Sequence, residues 1–197
     1  MIKRIFDIIA SSIGLLLLSP FLIFVSILIK RDSKGPVFYK GLRVGRRGKK
    51  FKIFKFRTMV PEAEKIGGPS TSADDTRLTK VGKFLRKRNL DEFPQLINVL
   101  KGDMSFVGPR PEVPQEIEHY PEEKKRIILS VRPGITDLAS LNFPHEEEIL
   151  KGSKDAHQAY REKIQPEKIR LGIKYVKEKS FWLDIKIIIK TIFTALK

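Results

Sequence analysis

The chain has 197 residues, enough for one domain with an appended membrane element, and carries 39 Lys and Arg against 23 Asp and Glu, a formal charge of +16. It lacks cysteine, which excludes disulfides and thiolate chemistry, and His119, His145 and His157 lack the spacing of a zinc site. The charge excess points to anionic partners (nucleic acid, phosphorylated metabolites or acidic lipid headgroups) without choosing among them.

From Ile8 to Ile29 no residue is charged, a run long enough at about 1.5 Å per residue to cross a bilayer. It is too long for a typical signal-peptide core and no small-x-small cleavage site follows, so a cleaved leader is not expected. Lys3 and Arg4 precede the run, while Lys30, Arg31, Lys34 and Lys40 follow it. A spanning helix usually concentrates such charge on one side. Ser19-Pro20 falls mid-run. The proline removes a backbone donor and crowds the Leu16 carbonyl, and the Ser19 hydroxyl is placed to bond a freed group nearby. These residues fit both a kinked spanning helix and a helix that enters and returns.

Next, apolar and basic residues alternate on both sides of a turn rich in Gly, Arg and Lys (41–50), which predicts a β-hairpin within Gly35–Met59. Its basic face carries Lys50, Lys52, Lys55 and Arg57, each alone a solvated lysine or arginine, together a face for headgroups or phosphate. Glu62–Asp75 reads as a mobile loop. Helices are predicted over Lys80–Arg88, with Val81, Phe84 and Leu85 on one side, and over Glu92–Leu100, with Phe93, Leu96, Ile97 and Leu100 inward and Gly102 as the stop. Pro121–Ser130 and Pro166–Glu178 follow as helices. In the last eighteen residues Phe181, Trp182, Ile185, Ile188, Ile189, Ile192, Phe193 and Leu196 recur at helical spacing. That stripe fits a core-packed helix and equally a helix lying in the membrane interface with Trp182 at headgroup depth.

The chemistry centres on Asp91-Glu92, followed by Phe93-Pro94. Proline favours the first helical turn, so a helix begins near Asp91 to Phe93 and Asp91 is a candidate N-cap at an anion-attracting helix end. Capping alone accounts for an isolated pair of this kind. Here, however, Gly108-Pro109-Arg110-Pro111 forms a rigid turn that fixes a guanidinium suited to phosphate oxygens. Vicinal carboxylates offer hard oxygen ligands to Mg²⁺, which takes one or two carboxylates plus substrate phosphates. A carboxylate can also attack phosphorus and hold the group covalently. Such a site beside a lipid surface suits phosphoryl-type transfer, and no Walker loop, kinase signature or dinucleotide fingerprint competes.

These residues carry a resemblance. Lys3-Arg4-Ile5-Phe6-Asp7 with Ser19-Pro20, Gly35-Pro36-Val37-Phe38, Arg43-Val44-Gly45 and Phe51 through Met59 open the pattern. Asp75-Thr76-Arg77-Leu78-Thr79-Lys80-Val81-Gly82, the 90–111 block, Arg132-Pro133-Gly134-Ile135-Thr136 and Ser180-Phe181-Trp182-Leu183-Asp184 complete it. In this order the chain resembles the bacterial sugar transferases, the monotopic phosphoglycosyl transferases, along nearly its whole length. The resemblance implies a mainly helical α+β, membrane-associated protein: a re-entrant helix over 1–32 kinked at Ser19-Pro20, then a cytoplasmic catalytic domain over 33–197 with a small β-hairpin and amphipathic interfacial helices.

It further implies that Asp91 attacks the β-phosphate of a UDP-sugar, releases UMP and becomes a phosphosugar-aspartyl ester. Polyprenol phosphate, undecaprenyl phosphate in a bacterium, then displaces the aspartate at the cytoplasmic face of the inner membrane. Glu92 assists the metal or a proton, Mg²⁺ bridges Asp91 and the diphosphate, and Arg110 with Lys55 and Arg57 holds phosphate. Two positions depart from the family pattern. Pro133-Gly134-Ile135-Thr136 continues as Asp137-Leu138-Ala139-Ser140 where many members read Gly-Trp-Ala-Gln, and Gly41 stands where glutamine is common.

Three rivals remain at this level. A nucleic-acid-binding protein would show a basic patch on a soluble fold, which the Ile8–Ile29 run opposes, so no nucleic-acid partner is expected. A basic membrane scaffold that binds lipids without turnover would tolerate Asp91→Asn. A lipid-diphosphate hydrolase would use the same carboxylates with water. The identity of the sugar and the pathway are not encoded legibly, and the sequence leaves room for a homo-oligomer.

Overall fold

The computed structural model describes residues 1–67, 70–144 and 146–195, so His145 and the Leu196 of the C-terminal stripe lie outside the described residues. The architecture is mainly helical α+β. Helix α1 runs from Ile2 to Asp32 without a break at Pro20. As the Ser-Pro pair predicts, the Leu16 carbonyl orphaned by Pro20 accepts the Ser19 hydroxyl at 2.8 Å. One stripe of α1 lies on the rest of the protein at helical spacing. Asp7, Ser11, Val25 and Ile29 are buried, and Phe21 meets Phe93 at 5.8 Å between ring centroids. The other side exposes Ile9, Ile13, Leu16, Leu17, Ile23 and Phe24.

Strands β1 (Phe38–Tyr39) and β4 (Lys55–Phe56) pair antiparallel, as do β2 (Leu42–Val44) and β3 (Lys50–Lys52). Together they form the expected hairpin, closed by a 3₁₀ turn over Arg46–Gly48. Among the described residues of the 62–75 segment, Ala63–Ile66 form one helical turn, α2. Helix α3 (Lys80–Lys87) is N-capped by Thr79, whose hydroxyl accepts Gly82 N–H at 3.0 Å. It buries Leu85 but leaves Phe84 exposed, with the Arg88 guanidinium 4.8 Å above its ring. A 3₁₀ segment over Leu90–Gln95 leads into α4 (Leu96–Lys101), which stops at Gly102 in the left-handed conformation, as expected. Asp91 is not the N-cap. Asn89, at φ 53, turns the chain two residues earlier and starts the helical path at Leu90. The phase of α4 shifts with it, so Asn98 and Val99 are buried and Leu100 is exposed.

Strand β5 (Ser105–Val107) is followed by α5 (Pro114–Glu118) and α6 (Glu122–Ile128), the crossover that lets β6 (Gly134–Thr136) pair parallel to β5. The approach is close: a Cβ on Gly134 would sit 2.2 Å from the Gly108 nitrogen. Helices α7 (Leu138–Asn142), α8 (Glu146–Ile149), α9 (Ala156–Lys163), α10 (Gln165–Glu178) and α11 (Phe181–Ala195) complete the described chain. Helix α11 is packed on one side and exposed on the other. Ile187 is buried against Val107 and Tyr175, while Trp182, Ile189, Ile192 and Phe193 are exposed. The exposed apolar surfaces of α1 and α11 adjoin where Phe6 meets Phe181 edge-on at 5.7 Å.

Polar groups tie both ends of α1 to the same body. Near its start Lys3 donates to Asp184 at 2.6 Å and to the Val107 carbonyl at 2.9 Å, and Tyr175 donates to the same Asp184 carboxylate at 2.7 Å. Arg4 caps α4 by donating to the Val99 and Leu100 carbonyls. Buried Asp7 accepts from the Ser105 hydroxyl and the Phe106 N–H. At the other end Asp32 accepts the Val81 N–H at 3.1 Å. Asp184→Leu would remove the carboxylate that Lys3 and Tyr175 share and leave both with the Val107 carbonyl. The loss of these charge-assisted bonds is expected to destabilise the protein by roughly 1–3 kcal/mol, read as a lower unfolding midpoint in detergent.

Candidate active site

Three elements deliver four charged side chains to one place. Strand β4 supplies Lys55, the 3₁₀ segment supplies Asp91 and Glu92, and the turn after β5 supplies Arg110. Each is held by backbone chemistry that the sequence specifies. Buried Asn98 accepts the Phe54 N–H at 2.8 Å and donates to the Lys52 carbonyl at 2.9 Å, fixing the unpaired link just before Lys55. Pro94 follows Asp91-Glu92-Phe93 and limits them to the tight 3₁₀ path. Pro109 and Pro111 flank Arg110, whose backbone N–H donates to the Asp137 carboxylate at 3.2 Å. Asp137 also caps α7 through the Ser140 N–H at 2.7 Å. Asp137 therefore anchors the Arg110 turn to the start of α7.

The two carboxylates are treated very differently. Lys55 Nζ donates to Glu92 Oε1 at 2.7 Å, and Arg110 binds both Glu92 oxygens, with Nη1 at 3.4 Å from Oε2 and Nη2 on Oε1. Burial would push the Glu92 carboxyl up, but Arg110 and Lys55 outweigh it and hold Glu92 well below the usual carboxylate range. Asp91 is as deeply buried yet accepts no hydrogen bond among the described residues, and its nearest cation is Lys55 at 4.0 Å. Burial therefore pushes the Asp91 pKa up, opposed by Lys55 and reinforced by the Glu92 charge. Burial likewise lowers the Lys55 ammonium, with Glu92 opposing. The result is one ionised, clamped carboxylate beside one that is unencumbered and basic.

Among the described residues no group of three or more His, Cys, Asp or Glu side chains converges as a metal cluster. The donor chemistry still fits Mg²⁺, which needs only one or two carboxylates when substrate phosphates complete its shell. Asp91, with both oxygens free of hydrogen bonds, is the side chain that would hold it.

Arg57 is placed elsewhere. Its guanidinium donates to the carbonyls of Lys34 at 2.6 Å and Ser33 at 2.8 Å, so it caps the end of α1 and does not face the carboxylates. Lys50 and Lys52 stay exposed on β3, the solvated face that alternation alone suggests. The buried partners Asp7, Asn98 and Asp184 were not singled out by sequence reasoning. Their signal is a polar residue on an otherwise apolar helical face.

Known proteins match the chain along its length. The sequence profile described as bacterial sugar transferase matches residues 1–197. A UDP-glucose:undecaprenyl-phosphate glucose-1-phosphate transferase of Klebsiella pneumoniae is 40% identical over 193 residues, which is 97% of this chain and 39% of that protein. A UDP-N-acetylgalactosamine-undecaprenyl-phosphate N-acetylgalactosaminephosphotransferase of Aeromonas hydrophila is 39% identical, covering 99% of this chain and 44% of its own length. The exopolysaccharide production protein ExoY of Rhizobium meliloti is 35% identical over 98% of this chain and 84% of its own length. The chain thus spans about two-fifths of the first two relatives and most of the third. With its acidic pair, its Arg110 turn and its apolar first helix all inside the matched span, the chain belongs to the bacterial sugar transferase family.

Proposed function

We propose that this protein transfers sugar-1-phosphate from a UDP-sugar to polyprenol phosphate, and that undecaprenyl phosphate is the natural acceptor. The observation that carries the reading is the asymmetry of the pair: Asp91, its pKa pushed up by burial, accepts no hydrogen bond among the described residues, beside a Glu92 clamped by two cations. In the first step an Asp91 oxygen attacks the β-phosphorus and the bond to the bridging oxygen breaks, so UMP leaves and a phosphosugar-aspartyl ester forms. A phosphate oxygen of the lipid acceptor then attacks the same phosphorus, and the ester opens to regenerate the Asp91 carboxylate. Arg110 and Lys55 hold the phosphates, and Glu92 orients both cations. Mg²⁺ on Asp91, when bound, neutralises the diphosphate charge.

In this reading α1 enters the bilayer and returns, and residues 33–197 form the body on the cytoplasmic face of the inner membrane. Support comes from the bonds that join Lys3 and Asp32, at opposite ends of α1, to that one body, and from basic residues at both flanks. The exposed apolar faces of α1 and α11 supply the lipid-facing surface. UMP release from a panel of UDP-sugars, with Mg²⁺ and a short polyprenol phosphate, tests the proposal. Acceptor-dependent UMP is expected from one or a few donors, whereas release of inorganic phosphate would point to the hydrolase instead.

The pH dependence follows from the site. Asp91 reacts as a carboxylate, so kcat/KM falls as pH falls through its pKa, and burial places that acid limb above the ordinary Asp value of about 3.9. Lys55 favours the Asp91 anion, so Lys55→Met is expected to move the limb to higher pH. A limb left in place would remove Lys55 from the Asp91 environment.

A further inference from the structure

Gln95 ends the 3₁₀ segment and is 1% exposed, yet its Nε2 donor has no hydrogen-bond partner. Buried donors without partners are rare, and each asks for a cause. In a 3₁₀ helix side chains three residues apart eclipse, which sets Gln95 on the same side of the segment as Glu92. Glu92 Oε2 is held only by the 3.4 Å bond from Arg110 Nη1, so it keeps capacity for a further donor.

We propose that Gln95 is a positioning residue that takes hold of Glu92 while substrate occupies the site; this rests on the transferase reading above. A diphosphate entering the site competes for Arg110 and Lys55, the two cations that hold Glu92 in the resting protein. Each cation drawn onto phosphate leaves Glu92 more nearly an uncompensated buried carboxylate, beside substrate of the same charge. Such a group turns away from the incoming charge, which disorders the cations it orients. The Gln95 amide prevents this by donating to Glu92 without adding charge. Its burial reserves it for an internal partner, since substrate cannot reach an atom closed off from the surface. In the resting protein the donor waits unpaired, a local cost held for the occupied state.

Gln95→Met tests this, because it keeps the length of the side chain and removes the donor. The substrate-free variant is expected to unfold at or above the wild-type temperature, since no bond is lost. Its kcat should fall about tenfold while KM for the UDP-sugar changes less than about twofold. Gln95→Glu, which sets a second carboxylate against Glu92, should lower kcat further than Met does. Wild-type kcat in Gln95→Met, or a loss of kcat accompanied by a fallen unfolding temperature, overturns the proposal. Wild-type protein that releases no UMP from any UDP-sugar overturns the underlying reading instead, an outcome distinct from an active wild type with an unaffected Met variant.

Discussion

Asp91→Asn is expected to lower acceptor-dependent UMP release by on the order of 10⁴-fold or more, because a neutral amide cannot form the covalent ester and only binding contributions remain. The loss should come without a loss of stability. The Asp91 carboxylate accepts no hydrogen bond in the described structure, and burial disfavours its charge. Replacing it with a neutral isostere removes a cost of folding, so the unfolding midpoint should hold or rise. Unfolding and turnover measured on the same preparations separate this outcome from simple misfolding. An Asp91→Asn protein with near wild-type turnover would remove Asp91 as nucleophile.

Arg110→Met is the second large effect, expected at about 10²–10³-fold in kcat/KM, the scale for losing one fixed donor to developing charge. Here stability falls too. Without the guanidinium, Glu92 keeps only Lys55 at 2.7 Å as its cation, and its burial then raises its pKa. Arg110→Lys should recover part of the stability and less of the activity, since an ammonium restores charge but not the two-pronged geometry. Kinetics beside thermal unfolding for the three proteins checks this ordering. Equal recovery of both quantities would mean that Arg110 acts as charge alone.

The parts of the site that were legible are those written in adjacent residues. The prolines around Arg110 and the hairpin that carries Lys55 each impose a local geometry, and the Ser19 hydroxyl bonds the Leu16 carbonyl as the Ser-Pro pair suggests. What was not legible depends on distant partners. Arg57 has the same alternation as Lys55, but one faces the carboxylates and the other caps α1, because the strand ends against the carbonyls of Ser33 and Lys34. Asp91 looks like an N-cap because Pro94 marks a helix start, yet Asn89 adopts a left-handed turn that no residue pattern here demands. Lys3 and Arg4 read as flanking charge for a membrane segment. Their bonds are to the body of the protein, one to Asp184 and one to the end of α4.

The bond between Lys3 and Asp184 joins residues 181 positions apart, and that separation orders events during synthesis. At about 5–20 residues per second a ribosome needs roughly 10–40 s to travel from one to the other. Throughout that interval the apolar helix exists without one of the residues that anchor its beginning, although its end can already find Val81 and Arg57. Assembly therefore proceeds from the distal end of α1 backwards, with Asp184 closing the structure late. A chain stalled after Val81 but before Val99 would carry an apolar helix fastened at one end only, a form open to capture by membrane, chaperone or protease before the carboxylates and cations of the site are held in common register.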